Sequence, residues 1–385
     1  MSPLFGLTEN QTLIYEAAKS FADAEVAPFA QQWDETSFFP EDALRRAASN
    51  GYAAMWVGEE FGGLGLSRSD SNPALEAIAR ACPSTSSYLS IHGMVAAMID
   101  KFGTHEQRAR LLPDLCTMKH FASYCLTEPG AGSDAASLTT RAVKDKVTGG
   151  YVLNGQKAFI SGGGRSDVYL VMARTGGAGP SGVSAFVVEK GVPGLHFGAN
   201  EKKMGWKNQP TRAVFFDNVA LPPSSLLGGV EGSGFKMAMA GLDGGRLSIA
   251  SCSLGGATAC FEAAASYAHT RKQFGAPIFS NQAIAFLLAD MSTKLFTARG
   301  VVRGASASYD ARHPDSRQLC AMAKALATED SLWVIDRALQ IHGGYGYLSS
   351  TNIERYLRDC RVHTILEGTS EIMRVILSRK IAESV

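Results

Sequence analysis

Apolar residues recur at helical spacing in the first third of the chain. Thr8 and Gln11 open this pattern as a T-x-x-Q capping box, and Pro28 ends it. The apolar positions between them are Leu13, Ile14, Ala17, Phe21 and Ala22. Because these residues are three or four apart, they share one face of a helix. The pattern predicts an α-helical N-terminal domain over residues 1–120.

The pattern changes to short β-like runs in residues 121–233. Tyr151-Val152-Leu153, an Asn154-Gly155 pair and Lys157–Ile160 predict a hairpin with a tight primed turn. Further runs follow between Gly, Pro and Ser residues: Val168–Met172, Val183–Val188 and Ala213–Phe216. No helical pattern separates these runs, so they predict an all-β central domain rather than a βαβ sheet.

Helical spacing returns over residues 234–385. The candidate helices cover about 235–268, 281–310, 315–341 and 370–383. Four long helices in one region predict a C-terminal four-helix bundle. The whole chain is therefore predicted to be an α+β multidomain protein, with a helical domain on each side of the β domain.

Charge and composition exclude several classes of protein. The 385 residues contain 37 Lys and Arg against 36 Asp and Glu, for a formal net charge of +1. The chain has no excess of positive charge that would neutralise a phosphate backbone, so no nucleic-acid partner is expected. The sequence has no run of about 18 apolar residues and predicts no membrane span.

The cysteines indicate neither a metal site nor a disulfide framework. Seven are scattered along the chain, without a CxxC or HExxH pattern, so no metal is expected. Met1–Leu4 resembles neither a signal peptide nor a transit peptide. Reduced thiols predict a prokaryotic cytoplasm, or the mitochondrial matrix if a transit peptide has been removed.

A glycine-rich segment in the central region is a candidate cofactor loop. Half of the 40 glycines lie in residues 121–234, and Gly130–Ala135 matches G-x-G-x-x-A. A Rossmann loop needs a strand before this motif and a helix at its end, whereas Pro129 precedes it and strands follow. The segment Tyr124–Asp134 remains either a loop that approaches a cofactor or an ordinary turn.

Three other segments have two interpretations each. Glu367, between Leu366 and Gly368, is either a general base in an apolar pocket or a loop glutamate beside a helix cap. Gln340–Gly346 either caps a helix or offers N–H groups to a pyrophosphate. In the third segment, Arg271 and Phe274 either bind a phosphate and an adenine or belong to an exposed loop.

The order of these motifs resembles the acyl-CoA dehydrogenase family over nearly the whole chain. The matching segments are TEPGAGSD, KAFISGG, RKQFGAPI, QIHGGYGY and ILEGTSEIMR. The resemblance implies FAD-dependent α,β-dehydrogenation of an acyl-CoA, in which the β-hydrogen leaves as hydride to flavin N5. It also implies electron transfer flavoprotein as the electron acceptor. The segments EKKMGW and NQPTRAV resemble members that convert isobutyryl-CoA to methacrylyl-CoA in valine breakdown.

The resemblance assigns roles to individual residues. The family places its catalytic carboxylate at one of two positions, which here are Glu367 and Gly245. Since glycine has no carboxylate, Glu367 is the expected base, and its main-chain N–H is expected to hold the thioester carbonyl. The expected substrate contacts are Ser133, Asp243, Arg246 and Arg379.

The same resemblance implies a large set of FAD contacts. They are Tyr124, Cys125, Leu126, Thr127, Gly132, Ser133, Phe159, Ile160, Ser161, Arg271, Phe274, Asn281, Gln282, Gln340, Ile341, His342, Gly343, Gly344, Thr369 and Glu371. In the family some of these contacts come from a neighbouring subunit. The resemblance therefore implies a homotetramer built as a dimer of dimers.

Two departures from the family pattern affect the expected substrate. Leu366 stands where many straight-chain relatives have Tyr, and Asn281-Gln282 stands where many have Phe-Gln. Leu366 alters the acyl pocket and favours a short branched acyl group. Alternatives are a 2-methylbutyryl- or short-chain acyl-CoA dehydrogenase, an O2-reactive flavin oxidase or monooxygenase, and a non-catalytic acyl-CoA-binding protein.

Overall fold

Six helices form the N-terminal region of the computed structural model, which describes residues 3–383. They are α1 (Glu9–Glu25), α2 (Ala30–Thr36), α3 (Glu41–Ser49), α4 (Arg68–Ala81), α5 (Pro83–Phe102) and α6 (His105–Cys116). The predicted capping box is present at α1, where Thr8 accepts from the Gln11 N–H and the Gln11 side chain accepts from Thr8 N–H. A second capping box, of Thr104 and Gln107, starts α6.

Seven strands form the central sheet. They are β1 (Ala122–Cys125), β2 (Arg141–Lys144), β3 (Tyr151–Ser161), β4 (Val168–Arg174), β5 (Val183–Glu189), β6 (Leu195–Phe197) and β7 (Thr211–Leu221). The strand order is β1-β4-β2-β3-β7-β6, and β5 pairs with β4. The sheet is mostly antiparallel, although β1 and β2 both run parallel to β4. No α-helix interrupts residues 121–233, as predicted.

The predicted hairpin at Asn154-Gly155 is wrong. Residues 151–161 form one continuous strand, β3, and its pairing with β7 shifts register between Leu153 and Gly155. Gly155 has φ +144°, and a Cβ there would lie 2.5 Å from Thr140 Oγ1. The Asn-Gly pair therefore marks a β-bulge packed against a neighbouring strand rather than a turn.

The C-terminal region contains the four predicted helices and one more. They are α7 (Gly234–Thr270), α8 (Gln282–Asp310), α9 (Ser316–His342), α10 (Ile353–Arg361) and α11 (Ser370–Glu383), with a small hairpin of β8 (Lys272–Gln273) and β9 (Ala276–Pro277) after α7. The short α10 was not predicted. These elements confirm the predicted succession of helical, all-β and helical regions.

The long helix α7 connects the helical regions. It packs against α4 and α5 of the N-terminal region and against α8 and α9 of the C-terminal region. Nearly every residue between Gly244 and Ala257 is buried, with several Gly, Ala and Ser residues that allow close helix packing. This central position brings residues distant in sequence to the middle of α7.

The seven cysteines are free and buried. Each of the four hydrophobic cores contains at least one of them, for example Cys82, Cys116, Cys260 and Cys125. Over residues 3–383, no His, Cys, Asp and Glu side chains are grouped so as to hold a metal ion. None of the helices in that range is both long and apolar enough to cross a bilayer.

Candidate active site

Glu367 lies in a loop with left-handed backbone between a short 3-10 turn and α11. Its φ is +57°, and Gly368 follows with φ +91°. Arg246 Nε donates to the carbonyl of Glu367 at 3.2 Å, and Lys324 Nζ donates to the carbonyl of Gly368 at 2.8 Å. Two cations from α7 and α9 thus hold two successive carbonyls. A strained non-glycine residue fixed in this way is typical of a functional site.

The Glu367 carboxylate points at α7. Its Oε2 atom is buried and has no hydrogen-bond partner within residues 3–383. It faces Gly245, where an added Cβ would lie only 2.6 Å from Oε2. Gly245 is the other position at which the resemblance leads us to expect a base, and a side chain there would occupy the space of the Glu367 carboxylate. The glycine leaves the space that Glu367 fills.

Burial controls the ionisation of this site. Burial raises the pKa of Glu367 to about 7, and the nearby Arg246, Lys324 and Arg68 act in the opposite direction. Burial lowers the pKa of Lys324 to about 8. A carboxyl group with a pKa near 7 suits general-base catalysis at neutral pH.

Tyr124 brings the central sheet to Glu367. Its hydroxyl is buried and unpaired, and burial, followed by the charge of Glu367, raises the pKa of Tyr124 well above its usual value. Two uncompensated polar groups, the phenol and the carboxylate, therefore share one part of the interior. Buried polar atoms normally have partners, so this pair indicates a place where a ligand binds.

The predicted cofactor loop forms a cradle beside Tyr124. The N–H of Ala158 donates to the carbonyl of Thr127 at 2.8 Å, which joins the loop to β3. Gly130 and Gly132 face open space, and a Cβ on either would touch nothing. The hydroxyls of Thr127 and Ser133 make no hydrogen bond to any described residue. The unpaired hydroxyl groups and the accessible main chain at the two glycines would allow a planar, polar ring system such as a flavin to bind here.

A buried ion pair that sequence reasoning missed supports this cradle. Glu128 and Lys157 are 4% and 0% exposed, and their charged atoms lie 2.8 Å apart. Lys157 also donates to the Leu126 carbonyl, and Glu128 accepts from the main-chain N–H groups of Thr139 and Thr140. Burial opposes ionisation, but Lys157 and the other donors lower the pKa of Glu128 to about 2. The pair fixes the loop that follows β1.

Cys125 and Arg246, two of the predicted contact residues, have side chains that pack against or bond to other parts of the protein. Cys125 points into the core on the far side of the sheet from Tyr124 and Leu126, so only its main chain faces the cradle. Arg246 is buried, and its Nη1 donates to Asp243 at 2.6 Å while its Nε holds the Glu367 carbonyl. This arrangement makes Arg246 a support for the glutamate loop.

The remaining predicted residues fall into two groups. Phe159 is exposed and has a left-handed backbone, with φ +59°. It precedes Ile160 and Ser161 beside the cradle, where the pairing of β3 with β7 shifts register a second time. Thr369 and Glu371 follow Glu367, with Glu371 exposed at the start of α11. Arg379 is exposed further along α11.

The second group lies at the far end of α7. Arg271 is within 5.7 Å of the Tyr345 ring, and the His342 ring stacks on Tyr267 at 4.5 Å. Phe274 is fully exposed at the turn of the β8–β9 hairpin. The other members are Asn281, Gln282, Gln340, Ile341, Gly343 and Gly344, of which only Ile341 is buried. Gly245 and Arg271 are 26 positions apart, which at 1.5 Å per residue places Arg271 about 39 Å along α7 from the residue that Glu367 faces.

Replacing Gly245 by alanine is expected to lower kcat by roughly 10- to 100-fold, because the new Cβ displaces the carboxylate that it would otherwise contact at 2.6 Å. Stability should not fall, because alanine is the better helix former. Steady-state kinetics and thermal unfolding measure both effects. Gly300→Ala in α8 is the matched control, since a Cβ there meets open space. Equal activity of the two variants would contradict this placement of Glu367.

Comparison with protein families covers most of the chain. Residues 8–119 match "Acyl-CoA dehydrogenase, N-terminal domain", residues 123–219 match the middle domain, and residues 232–382 match the C-terminal domain. Isobutyryl-CoA dehydrogenase, mitochondrial, from Bos taurus is 50% identical over 383 residues, which cover 100% of this chain and 91% of the relative.

Solved structures show the same fold. The butyryl-CoA dehydrogenase of Megasphaera elsdenii is 34% identical with a TM-score of 0.94, over 99% of this chain and 100% of that one. A chain in a study of the electron transferring flavoprotein of Acidaminococcus fermentans is 37% identical with a TM-score of 0.94, over 99% of each chain. A complex of PigA with FAD and proline is 30% identical with a TM-score of 0.94, over 99% of each chain.

Proposed function

Because this chain belongs to the acyl-CoA dehydrogenase family, we propose that it oxidises isobutyryl-CoA to methacrylyl-CoA, with Glu367 as the base that removes the α-proton. The observation that carries the assignment is the unpaired, buried Glu367 carboxylate with its pKa near 7. For a base with these properties to act, the substrate must place an acidic C–H group beside it. The α-carbon of a thioester becomes acidic enough when its carbonyl oxygen is hydrogen-bonded.

The loop supplies a donor for that oxygen. The main-chain N–H of Glu367 makes no hydrogen bond to any described residue. Lys324 and Arg246 hold the two carbonyls that follow this N–H, so its direction is fixed before substrate binds. A donor oriented in advance stabilises the charge that develops on the carbonyl oxygen as the proton leaves.

FAD is the cofactor of this family, and the cradle beside Tyr124 fits it. When bound, FAD supplies the acceptor for the electron pair that leaves the β-carbon. We assign its ring system to the loop of Tyr124–Ser133 and to Phe159–Ser161, whose open glycines and free hydroxyls support the assignment. The chain's own residues bind the acyl group, exclude water and hold the α-proton at Glu367.

The separation of the two residue groups supports an oligomer. Arg271 lies about 39 Å along α7 from Gly245, the residue that the Glu367 carboxylate faces. The Arg271 and Phe274 group therefore serves the cofactor of a neighbouring subunit in our proposal. This exchange requires at least a dimer and fits the homotetramer, a dimer of dimers, implied by the sequence.

The electron acceptor and the compartment are part of the same proposal. We assign electron transfer flavoprotein as acceptor, supported by the similar chain from the study of that protein in A. fermentans. For the compartment we propose a prokaryotic cytoplasm or the mitochondrial matrix. Seven free, buried thiols and the mitochondrial bovine relative support this choice.

A reductive titration under nitrogen tests the function. Isobutyryl-CoA is expected to bleach the flavin more efficiently than 2-methylbutyryl-CoA, butyryl-CoA and octanoyl-CoA do. Preferential bleaching by one of the other thioesters would overturn the isobutyryl assignment but not the dehydrogenase. Rapid peroxide formation in air would indicate an oxidase. A purified protein that takes up no FAD would indicate a binding protein without catalytic function.

The pH dependence of kcat/KM follows from the raised pKa of Glu367. The base must be ionised, so kcat/KM should rise with pH through about 7 and level off above it. The charged groups that act on the carboxylate are Arg246, Lys324, Arg68 and Asp243. Stopped-flow reduction by isobutyryl-CoA between pH 5 and 9 measures the profile. A flat profile down to pH 5 would show that the carboxylate ionises as an ordinary glutamate.

A further inference from the structure

Arg68 is a buried cation next to the active site, and the only effect described for it so far is that its charge lowers the pKa of Glu367. It is the first residue of α4, whose N-terminal N–H groups at Arg68 and Ser69 donate to the Asp310 carboxylate. The side chain is 7% exposed, and no described carboxylate lies within 4 Å of its guanidinium. A buried charge without an ion-pair partner is costly, so its position needs an explanation.

Packing and hydrogen bonds fix the guanidinium. Its carbon lies 3.6 Å from the centre of the Trp56 ring, and the Trp56 indole N–H donates to Ser71. Its Nη1 donates to Ser248 Oγ at 2.9 Å and to the Gly244 carbonyl at 3.4 Å. The Trp56–Arg68 pair is therefore a rigid unit attached to α7.

This pair lies beside Glu367. A Cβ on Gly244 would be 2.5 Å from Arg68 Nη2, and a Cβ on the next residue, Gly245, would be 2.6 Å from Glu367 Oε2. The guanidinium and the carboxylate thus contact consecutive residues of α7. One turn earlier, Gly241 faces Met98 of α5, with a Cβ-to-sulfur distance of 2.6 Å.

The same pair reaches α5. A Cβ on Gly93 of α5 would lie 2.9 Å from the Trp56 ring. Trp56, Arg68 and Met98 therefore fill the layer between α5 and α7 next to the base. The bulky CoA portion of a substrate must extend toward solvent, so the acyl end must point into the protein. An acyl end that points inward past Glu367 would meet this layer.

We propose that the Trp56–Arg68 pair closes the inner end of the acyl pocket and restricts the substrate to short branched acyl groups. This inference rests on the proposed function. A short branched acyl group needs less depth beyond Glu367 than a longer straight chain does. A longer straight chain would have to displace a stacked guanidinium and place methylenes against a desolvated charge.

Truncation of Arg68 tests the proposal. Arg68→Ala and Arg68→Met are compared with wild type by rates of flavin reduction with isobutyryl-, butyryl-, hexanoyl- and octanoyl-CoA. The ratio of hexanoyl to isobutyryl kcat/KM should rise on the order of tenfold or more in Arg68→Ala. Arg68→Met, which retains most of the length, should show a smaller rise. Lys294→Met in α8, which removes a cation packed on Trp333 of α9, is the matched control and should leave the ratio unchanged.

The readout separates specificity from stability. Rates are normalised to bound flavin, so a partly unfolded or depleted variant changes all substrates equally and leaves their ratio intact. Unchanged ratios in both variants would overturn the proposal. If the alanine variant yields no holoenzyme, the ratio in Arg68→Met decides. Wild type that does not oxidise isobutyryl-CoA would refute the proposed function, whereas an active wild type with unchanged variant ratios would refute only the role of Arg68.

Discussion

Replacing Glu367 by glutamine is expected to lower kcat by about 10²- to 10⁴-fold while acyl-CoA and FAD still bind. Glutamine has nearly the same shape, so it fills the space beside Gly245 without the added contact that alanine at that position would create. It cannot accept the α-proton. The main-chain N–H of residue 367 remains, so the thioester carbonyl still has its donor. The loss should therefore fall on kcat rather than on ligand affinity.

Rapid-reaction spectroscopy measures this effect. Addition of isobutyryl-CoA to the variant should perturb the flavin spectrum on binding without the subsequent bleaching. Glu16→Gln is the control, because Glu16 lies on the exposed face of α1. Turnover within tenfold of wild type in Glu367→Gln would show that another group removes the proton.

Replacing Lys157 by methionine is expected to destabilise the protein by about 3–5 kcal/mol, because the Glu128 carboxylate then remains buried without its cation. Glu128 keeps its donors from Thr139 and Thr140, but Leu126 loses its donor. The loop between β1 and β2 should loosen, and flavin retention should fall with it. Denaturant unfolding of the apoprotein and the flavin-to-protein absorbance ratio measure the two effects.

The double variant Lys157→Met with Glu128→Gln separates charge from packing. Removal of both charges should recover part of the lost stability, since a neutral amide can still accept from Thr139 or Thr140. If the single Lys157 variant unfolds at the same denaturant concentration as wild type, the ion pair does not stabilise this loop.

Periodicity was sufficient for α1 and for the four predicted C-terminal helices, because their apolar residues repeat over long stretches, whereas α2 to α6 were predicted only as one helical region. The capping residues placed the start of α1 at Glu9. Short elements were harder to predict: α10 has only nine residues, so its apolar positions Ile353, Tyr356, Leu357 and Cys360 keep helical spacing over only two turns. Asn154-Gly155 followed the rule for hairpins, but a tertiary contact with Thr140 determines its conformation. Parallel pairing of β1 with β4 likewise depends on residues more than 40 positions apart.

The candidate site was predictable only where residues follow one another in the chain. Glu367 and the loop from Tyr124 were identified from motifs. The cations that hold the glutamate loop, Lys324 in particular, come from helices that contact it only after folding. The Glu128–Lys157 pair likewise joins residues 29 positions apart. Neither spacing nor composition indicates that these charges are buried, and burial is what gives them their effect.

Because buried cysteines are present in every hydrophobic core, the reactivity of their thiols reports where the protein unfolds. Each hydrophobic core holds at least one thiol that solvent reagents cannot reach while that core is intact. Burial also raises the pKa values of Cys116, Cys125 and Cys320, so little reactive thiolate is present in the native state. Alkylation in a denaturant series, followed by peptide mapping, would therefore record the order in which the helical and β regions open without any engineered label.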